Sequence, residues 1–323
     1  MMNMIIEKPP RQISYDDKIM MVGSCFSEEI GKKLSECKFT IFQNPNGILF
    51  DPESICRCLT AVISNRMITL TDIVEQGEVY HSMDHHSDFS SVERENVVEK
   101  VNQYNTRAHL FLKEAKWLII TFGTAWNYEL IDSGQPVANC HKMPSELFHK
   151  KEMEIDEIVD QFTALQEGLK KFNPELTLIY TVSPVRHIRN GVVNNNLSKA
   201  KLLVAVHKLV SASKSNFYFP SYELAIDVLR DYRFFDTDLV HPNSLAIDFI
   251  FEKFIQSFLD KKGQIILSEV KKWKNNVAHR PYFPESIAYK KFRQALYHET
   301  IELIEKYPFL NLDAELMQIK NES

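Results

Sequence analysis

Three short segments of almost unbroken apolar residues punctuate this chain, and each stops at a residue that permits a sharp turn. Residues 18–22 (Lys-Ile-Met-Met-Val) run into Gly23, residues 117–122 (Trp-Leu-Ile-Ile-Thr-Phe) into Gly123, and residues 176–182 (Leu-Thr-Leu-Ile-Tyr-Thr-Val) into Ser183-Pro184. A strand that is apolar on both faces has to be covered on both faces. The covering material is present as amphipathic helical patterns over 27–38, 93–114, 155–171, 197–213 and 244–259. Strands alternating with helices of this length imply parallel crossovers. The expected fold is therefore a three-layer α/β/α sandwich with a mainly parallel sheet. Ligands of such sheets bind at the carboxyl ends of the strands, which here means near Gly23, Gly123 and Ser183.

Composition narrows the function. With 323 residues the chain can form one large domain or two medium ones. A formal net charge of -5 and a pI near 6.1 argue against nucleic acid as the main partner. The short run Lys271-Lys272-Trp273-Lys274 reads as a solvated helix face. No apolar stretch has the length of a membrane span, and Met1 to Pro10 is too short and polar for a signal peptide. Five cysteines suggest a reducing compartment, so the expected location is cytoplasmic. From residue 262 onward the chain becomes rich in Lys, Tyr and Glu. The expected division is a catalytic domain over 1–261 and a helical C-terminal extension over 262–323.

Residues 69–92 read as an inserted loop over the strand ends. It carries His81, Asp84, His85, His86 and Asp88, and their spacing does not favour a shared metal ion. A substrate-facing loop is the preferred reading, with His86 among its candidate contacts.

Two constellations carry chemistry. Gly23-Ser24-Cys25-Phe26-Ser27 lies at a strand-to-helix turn, where a small side chain projects and helix-start N–H groups can stabilise an oxyanion. The same place serves equally as an ordinary turn with an N-cap. Asp236-Thr237-Asp238-Leu239-Val240-His241-Pro242-Asn243 precedes a helical pattern. There, Asp238 can orient the His241 ring and leave its other nitrogen free to act as a base. Arg186, His187 and Arg189 follow the third strand and can face the cleft to bind an anionic or sugar group, or pair with acidic neighbours. Trp126, Tyr128 and Tyr222 read as packing residues. Lys199 has no role that the sequence assigns.

Together these residues resemble the GSCFA family, named for an N-terminal motif that here reads Gly-Ser-Cys-Phe-Ser, with Ser27 in place of the usual Ala. Similarity continues in order through Asn44-Pro45-Asn46-Gly47, Thr121-Phe122-Gly123-Thr124-Ala125-Trp126, Ser183-Pro184-Val185-Arg186-His187, Asn196-Leu197-Ser198-Lys199-Ala200, Phe219-Pro220-Ser221-Tyr222-Glu223 and Asp238-Leu239-Val240-His241-Pro242. It spans roughly residues 15 to 260.

The resemblance implies a branch of the SGNH/GDSL hydrolases, with an SGNH/flavodoxin-like sandwich, a nucleophile after the first strand and an Asp-x-x-His base. In that superfamily the usual opening is Gly-Asp-Ser. Register therefore puts Cys25 at the nucleophile position, and a one-residue shift puts Ser24 there; both stand as candidates. A helix N-terminus is expected to lower the pKa of a cysteine. The superfamily's third block has an Asn where this chain has Thr124. The expected oxyanion donors are accordingly the Thr124 hydroxyl or the Gly47 and Gly123 amides. The implied activity is hydrolysis or transfer of an acyl ester of a small metabolite or carbohydrate, without a cofactor. The rival expectation is a catalytically degenerate SGNH-like scaffold that binds a ligand or partner without turnover. A third is an interaction protein working through the helical extension.

Overall fold

In the computed structural model, residues 4–321 are described; Met1 to Asn3 of the predicted polar N-terminus, and the last two residues of the predicted extension, lie outside them. The elements run in order β1 (Ile19–Gly23), α1 (Cys25–Glu36), β2 (Ile41–Gln43), α2 (Pro52–Ser64), β3 (Val74–Gln76), β4 (Val79–His81), α3 (Arg94–Glu114), β5 (Trp117–Phe122) and β6 (Trp126–Leu130). They continue with β7 (Pro136–Val137), β8 (Phe148–Glu152), α4 (Ile155–Phe172), β9 (Thr177–Val182), α5 (Gly191–Ser211), β10 (Asn216–Tyr218), α6 (Ser221–Glu223), α7 (Ser244–Phe258), α8 (Lys261–Val277), α9 (Ile287–Lys306) and α10 (Asp313–Asn321).

Five strands form one wholly parallel sheet in the order β10-β9-β5-β1-β2. The chain winds outward from β1 in both directions, so strand order reverses between β1 and β5, and the crevice at that switch point is where a ligand fits. Alternation along the strands feeds two cores. Ile19, Met21, Trp117, Ile119 and Ile179 pack on the side of α1 and α7. Met20, Val22, Leu118, Ile120, Leu178 and Tyr180 face α2, α4 and α5. The three predicted strands and the helical patterns all appear, and the α/β sandwich holds as expected.

Four features go beyond the expectation. Strands β2 and β10 have only three residues each, too few for a period to register. Helix α2 starts on an Asp51 N-cap, with Pro52 at its first position, and closes one flank of the sandwich. Residues 126–152 fold as a three-stranded antiparallel sheet, β7-β6-β8, standing beside the strand ends. The predicted loop over 69–92 contains the β3/β4 hairpin.

Helices α8, α9 and α10 pack Trp273, Leu296 and Ile319 into the core shared with α1, and Leu312, just ahead of α10, joins them. The Trp273 indole Nε1 donates to Thr300 Oγ1 at 2.9 Å, joining α8 to α9. Trp273 is 1% exposed, so the predicted solvated face is solvated only through its lysines. Lys274 meets Glu36 at 2.8 Å and Lys38 pairs with Glu315, which fastens these helices to the C-terminal end of α1. Among the described residues no helix is long and apolar enough to cross a membrane.

Candidate active site

The site begins where β1 ends. Gly23 has φ +146°, and a Cβ there would lie 2.2 Å from the Thr121 carbonyl oxygen, so only glycine fits between β1 and β5. The turn is pinned from the side by the segment after β2. Asn44 Oδ1 accepts from the Gly23 amide at 3.0 Å, the Asn44 amide donates to Met21 O at 2.9 Å, and the Leu49 amide donates to Gly23 O at 3.0 Å. Ser24 is the N-cap of α1 in an extended conformation, and Cys25 is the first helical residue.

The second element is the loop before α7. The Asp236 amide donates to His241 O at 2.7 Å and the Leu239 amide to Asp236 O at 2.9 Å. Leu239 adopts φ +57°, a left-handed conformation that costs a side-chain-bearing residue on the order of 1 kcal/mol. This tight fold turns Asp238 back on His241. Asp238 Oδ2 lies 2.6 Å from His241 Nδ1, while its Oδ1 accepts from the Val240 and His241 amides at 2.8 and 3.0 Å. The His241 amide and ring, then the Val240 amide, pull the Asp238 carboxyl down to about 2, so it is ionised throughout the working range. The geometry makes the His241 ring donate through Nδ1 and leaves Nε2 free to accept a proton.

Cys25 and His241 line one cleft of about 770 Å³, a volume suited to a small-molecule substrate. His86, Thr124, Arg186, His187 and Arg189 line it too, as does the antiparallel sheet through Trp126, Tyr128 and Lys150. Trp126 and Tyr128 therefore belong to the cleft and not only to packing, with the Lys150 ammonium over their rings at 5.1 and 5.4 Å. His86 is carried in by the inserted segment, whose His86 amide donates to Asn46 O at 2.8 Å. Among the described residues no hydrogen bond joins Cys25 to His241.

Lys199 lies beneath this site. It is 1% exposed, and its Nζ donates to Gly123 O and to Ser183 O, both at 2.6 Å. One ammonium thus ties the chain just past β5 to the chain just past β9. Burial pulls its pKa down to about 7, and interaction with Cys25 opposes that shift.

The chain matches a family described as the GSCFA family over residues 18–254, well over half of its length. It belongs to the GSCFA family. A second match, described as the GSCFA domain protein C-terminal domain, covers residues 270–322. No curated protein matches. Among solved structures, a carbohydrate esterase family 3 from Talaromyces cellulolyticus is 10% identical with a TM-score of 0.35, covering 79% of this chain and 99% of that one. A mutant acetyl esterase with acetate ion is also 10% identical, with a TM-score of 0.36 and coverage of 79% and 99%. A Clostridium thermocellum family 3 carbohydrate esterase is 11% identical, with a TM-score of 0.32 and coverage of 79% and 98%. Likeness at this level says nothing about the chemistry of the site.

The GSCFA motif residues separate by environment. Ser24 is 1% exposed, lies outside the cleft lining, and its Oγ has no hydrogen-bond partner among the described residues. Cys25 is half-buried and opens onto the cleft. The expectation of a lowered thiol pKa is reversed. Burial pushes the Cys25 thiol up, and the Phe26 amide and the Lys199 charge offset this only in part.

The expected glycine donors also change. The Gly47 amide donates to Asn44 O at 2.8 Å and the Gly123 amide to Phe50 O at 2.7 Å, so neither is free for an oxyanion. Gly47 instead allows close approach, because a Cβ there would lie 2.3 Å from His86 Cβ. Thr124 lines the cleft, but its Oγ1 already bonds Ser198 Oγ at 3.1 Å and accepts from the Trp126 amide at 3.2 Å. No side chain caps α1, and its first-turn amides at Cys25 and Phe26 face the Cys25 sulfur.

The predicted histidine loop is occupied by other bonds. His81 Nδ1 meets Ser90 Oγ and His85 Nδ1 meets Ser82 Oγ, each at 2.7 Å, while Asp84 pairs with Arg57.

Proposed function

We propose that this GSCFA protein is an SGNH-type acyl hydrolase or acyltransferase that uses Cys25 as nucleophile and the Asp238–His241 pair as base. The observation that carries this reading is that the thiol at the start of α1 and an aspartate-oriented imidazole line the same cleft. Because burial holds the thiol protonated, proton removal has to accompany attack. His241 Nε2 takes the Cys25 proton as Sγ bonds to the ester carbonyl carbon. The carbonyl oxygen gains charge beside the first-turn amides of α1. The C–O bond to the alcohol then breaks, and His241 returns the proton to the leaving oxygen. Water, or a second alcohol in a transferase, attacks the thioester in the same way and releases the thiol. Ser24 in this reading shapes the turn. The substrate is an acyl ester of a small metabolite or carbohydrate, in keeping with the size of the cleft.

The test is turnover of 4-nitrophenyl acetate with mass-spectrometric trapping of the acyl-enzyme, comparing wild type with Cys25→Ala, Ser24→Ala and His241→Ala. An acetyl group on the Cys25 peptide that is lost in His241→Ala supports the mechanism. Acylation at neither residue, with a rate no higher than that of denatured chain, refutes it. That second result would leave a scaffold that binds its ligand without turnover. The raised thiol and the lack of a resting Cys25–His241 hydrogen bond favour this rival.

A further inference from the structure

The cleft is far more basic than the chain as a whole. Against a formal net charge of -5, it gathers Lys142, Lys150, Arg186 and Arg189 around its mouth and walls. Among the described residues, Lys142, Arg186 and Arg189 have no carboxylate within ion-pair distance. Among the described residues Asp51 is the one acidic side chain in the lining, and it is spoken for: its two oxygens accept from the Ser54 amide and Ser54 Oγ, both at 2.8 Å. Burial raises its pKa to about 6. His187 acts as an internal probe of this environment. Its pKa falls to about 4 through burial first, and then through the charges of Lys199, Arg189, Lys150 and His241. Two guanidinium groups lining one cleft, Arg186 half-buried and Arg189 exposed, make a site for a planar or tetrahedral oxyanion. They also draw such a ligand in by long-range attraction.

We propose that the ester acted on at Cys25 carries an anionic group, a carboxylate or a phosphate, held by Arg186 and Arg189 with Lys142 at the rim. This rests on the acyl-transfer reading for the identity of the ligand as an ester, but the anion site itself does not depend on turnover. The Arg186 amide donates to Val240 O at 3.4 Å, which ties the Arg186 loop to the loop holding His241.

The test is the melting temperature of the purified full chain titrated with inorganic phosphate and, separately, with succinate, at constant ionic strength. A saturable rise is expected, with half-saturation on the order of millimolar. The Arg186→Gln/Arg189→Gln variant should need at least tenfold more anion, with each single variant falling between. The single variants keep the comparison usable if the double variant folds poorly. A response to phosphate alone assigns a phosphorylated ester, to succinate alone a carboxylated one, and to both an unselective anion site. No saturable response, or the same response in the variants, overturns the proposal. 4-Nitrophenyl acetate turnover measured alongside keeps the two readings apart. Anion binding without turnover sinks only the hydrolase, and turnover without anion binding sinks only the charge selectivity.

Discussion

Replacing Lys199 with methionine should change both the stability of the fold and the way that stability responds to pH. The stem of the side chain is kept, while the ammonium that donates to Gly123 O and Ser183 O is lost. Stranding two carbonyls costs about 1–3 kcal/mol each, a loss that does not vary with pH. The ionisation term varies. In the unfolded chain a lysine keeps its proton up to about pH 10.4, whereas burial brings the folded group down to about 7. Between those values the unfolded state binds the extra proton, so the wild type gains stability as pH rises, by about 1.4 kcal/mol per unit. Below about 7 both states are protonated and the term is constant. Because the folded group is itself half-titrated at pH 7, wild type should gain about 2 kcal/mol on Lys199→Met from pH 7 to pH 9. Urea unfolding of both proteins at pH 7, 8 and 9 measures this directly, since other titrating groups largely cancel in the difference. A gap that is flat across the range would refute the assignment of Lys199 as a buried, depressed amine.

Two further substitutions test the frame of the site. Gly23→Ala combines a forbidden φ with a Cβ 2.2 Å from Thr121 O, and should cost more than about 3 kcal/mol, seen as a large drop in melting temperature or loss of soluble protein. Asp238→Asn keeps the shape of the 236–241 loop but removes the charge that orients His241. Ester turnover should fall about a hundredfold or more while the melting temperature hardly changes, because Asp238 is half exposed. Turnover within twofold of wild type would remove Asp238 from the mechanism.

The parallel sheet was legible because β1, β5 and β9 are buried on both faces, so their apolar runs have few alternative readings. The cleft wall was not, because β6 and β8 are half-exposed strands whose pairing is set by contacts roughly 20 residues apart in the chain, not by a local period. The Asp238–His241 hydrogen bond was legible in the sequence because both residues lie within one loop. The choice between Ser24 and Cys25 turns on which side chain points into the sandwich, and adjacent residues do not encode that without the path of the helix. Lys199 left a signal that can be recovered. It falls with Asn195, Ser198, Leu202, Val206 and Leu209 on the buried stripe of α5, so a charge is built into an otherwise inward face. The raised Cys25 thiol was missed for an energetic reason: desolvation outweighs the helix-end field, and sequence position reports only the field.

The fastening of α8 and α10 to the far end of α1 also bears on how the protein is made. The helix that presents Cys25 leaves the ribosome roughly two hundred residues ahead of α8, which at translation speeds is on the order of ten seconds or more. During that interval the parallel sheet can assemble while Leu34, Cys37 and Phe39 still lack the cover they share with Trp273 and Leu312. A nascent chain in this state is sticky where the finished one is sealed. Premature termination near residue 260 would release a molecule that retains every cleft residue and yet is a client for chaperones and proteases.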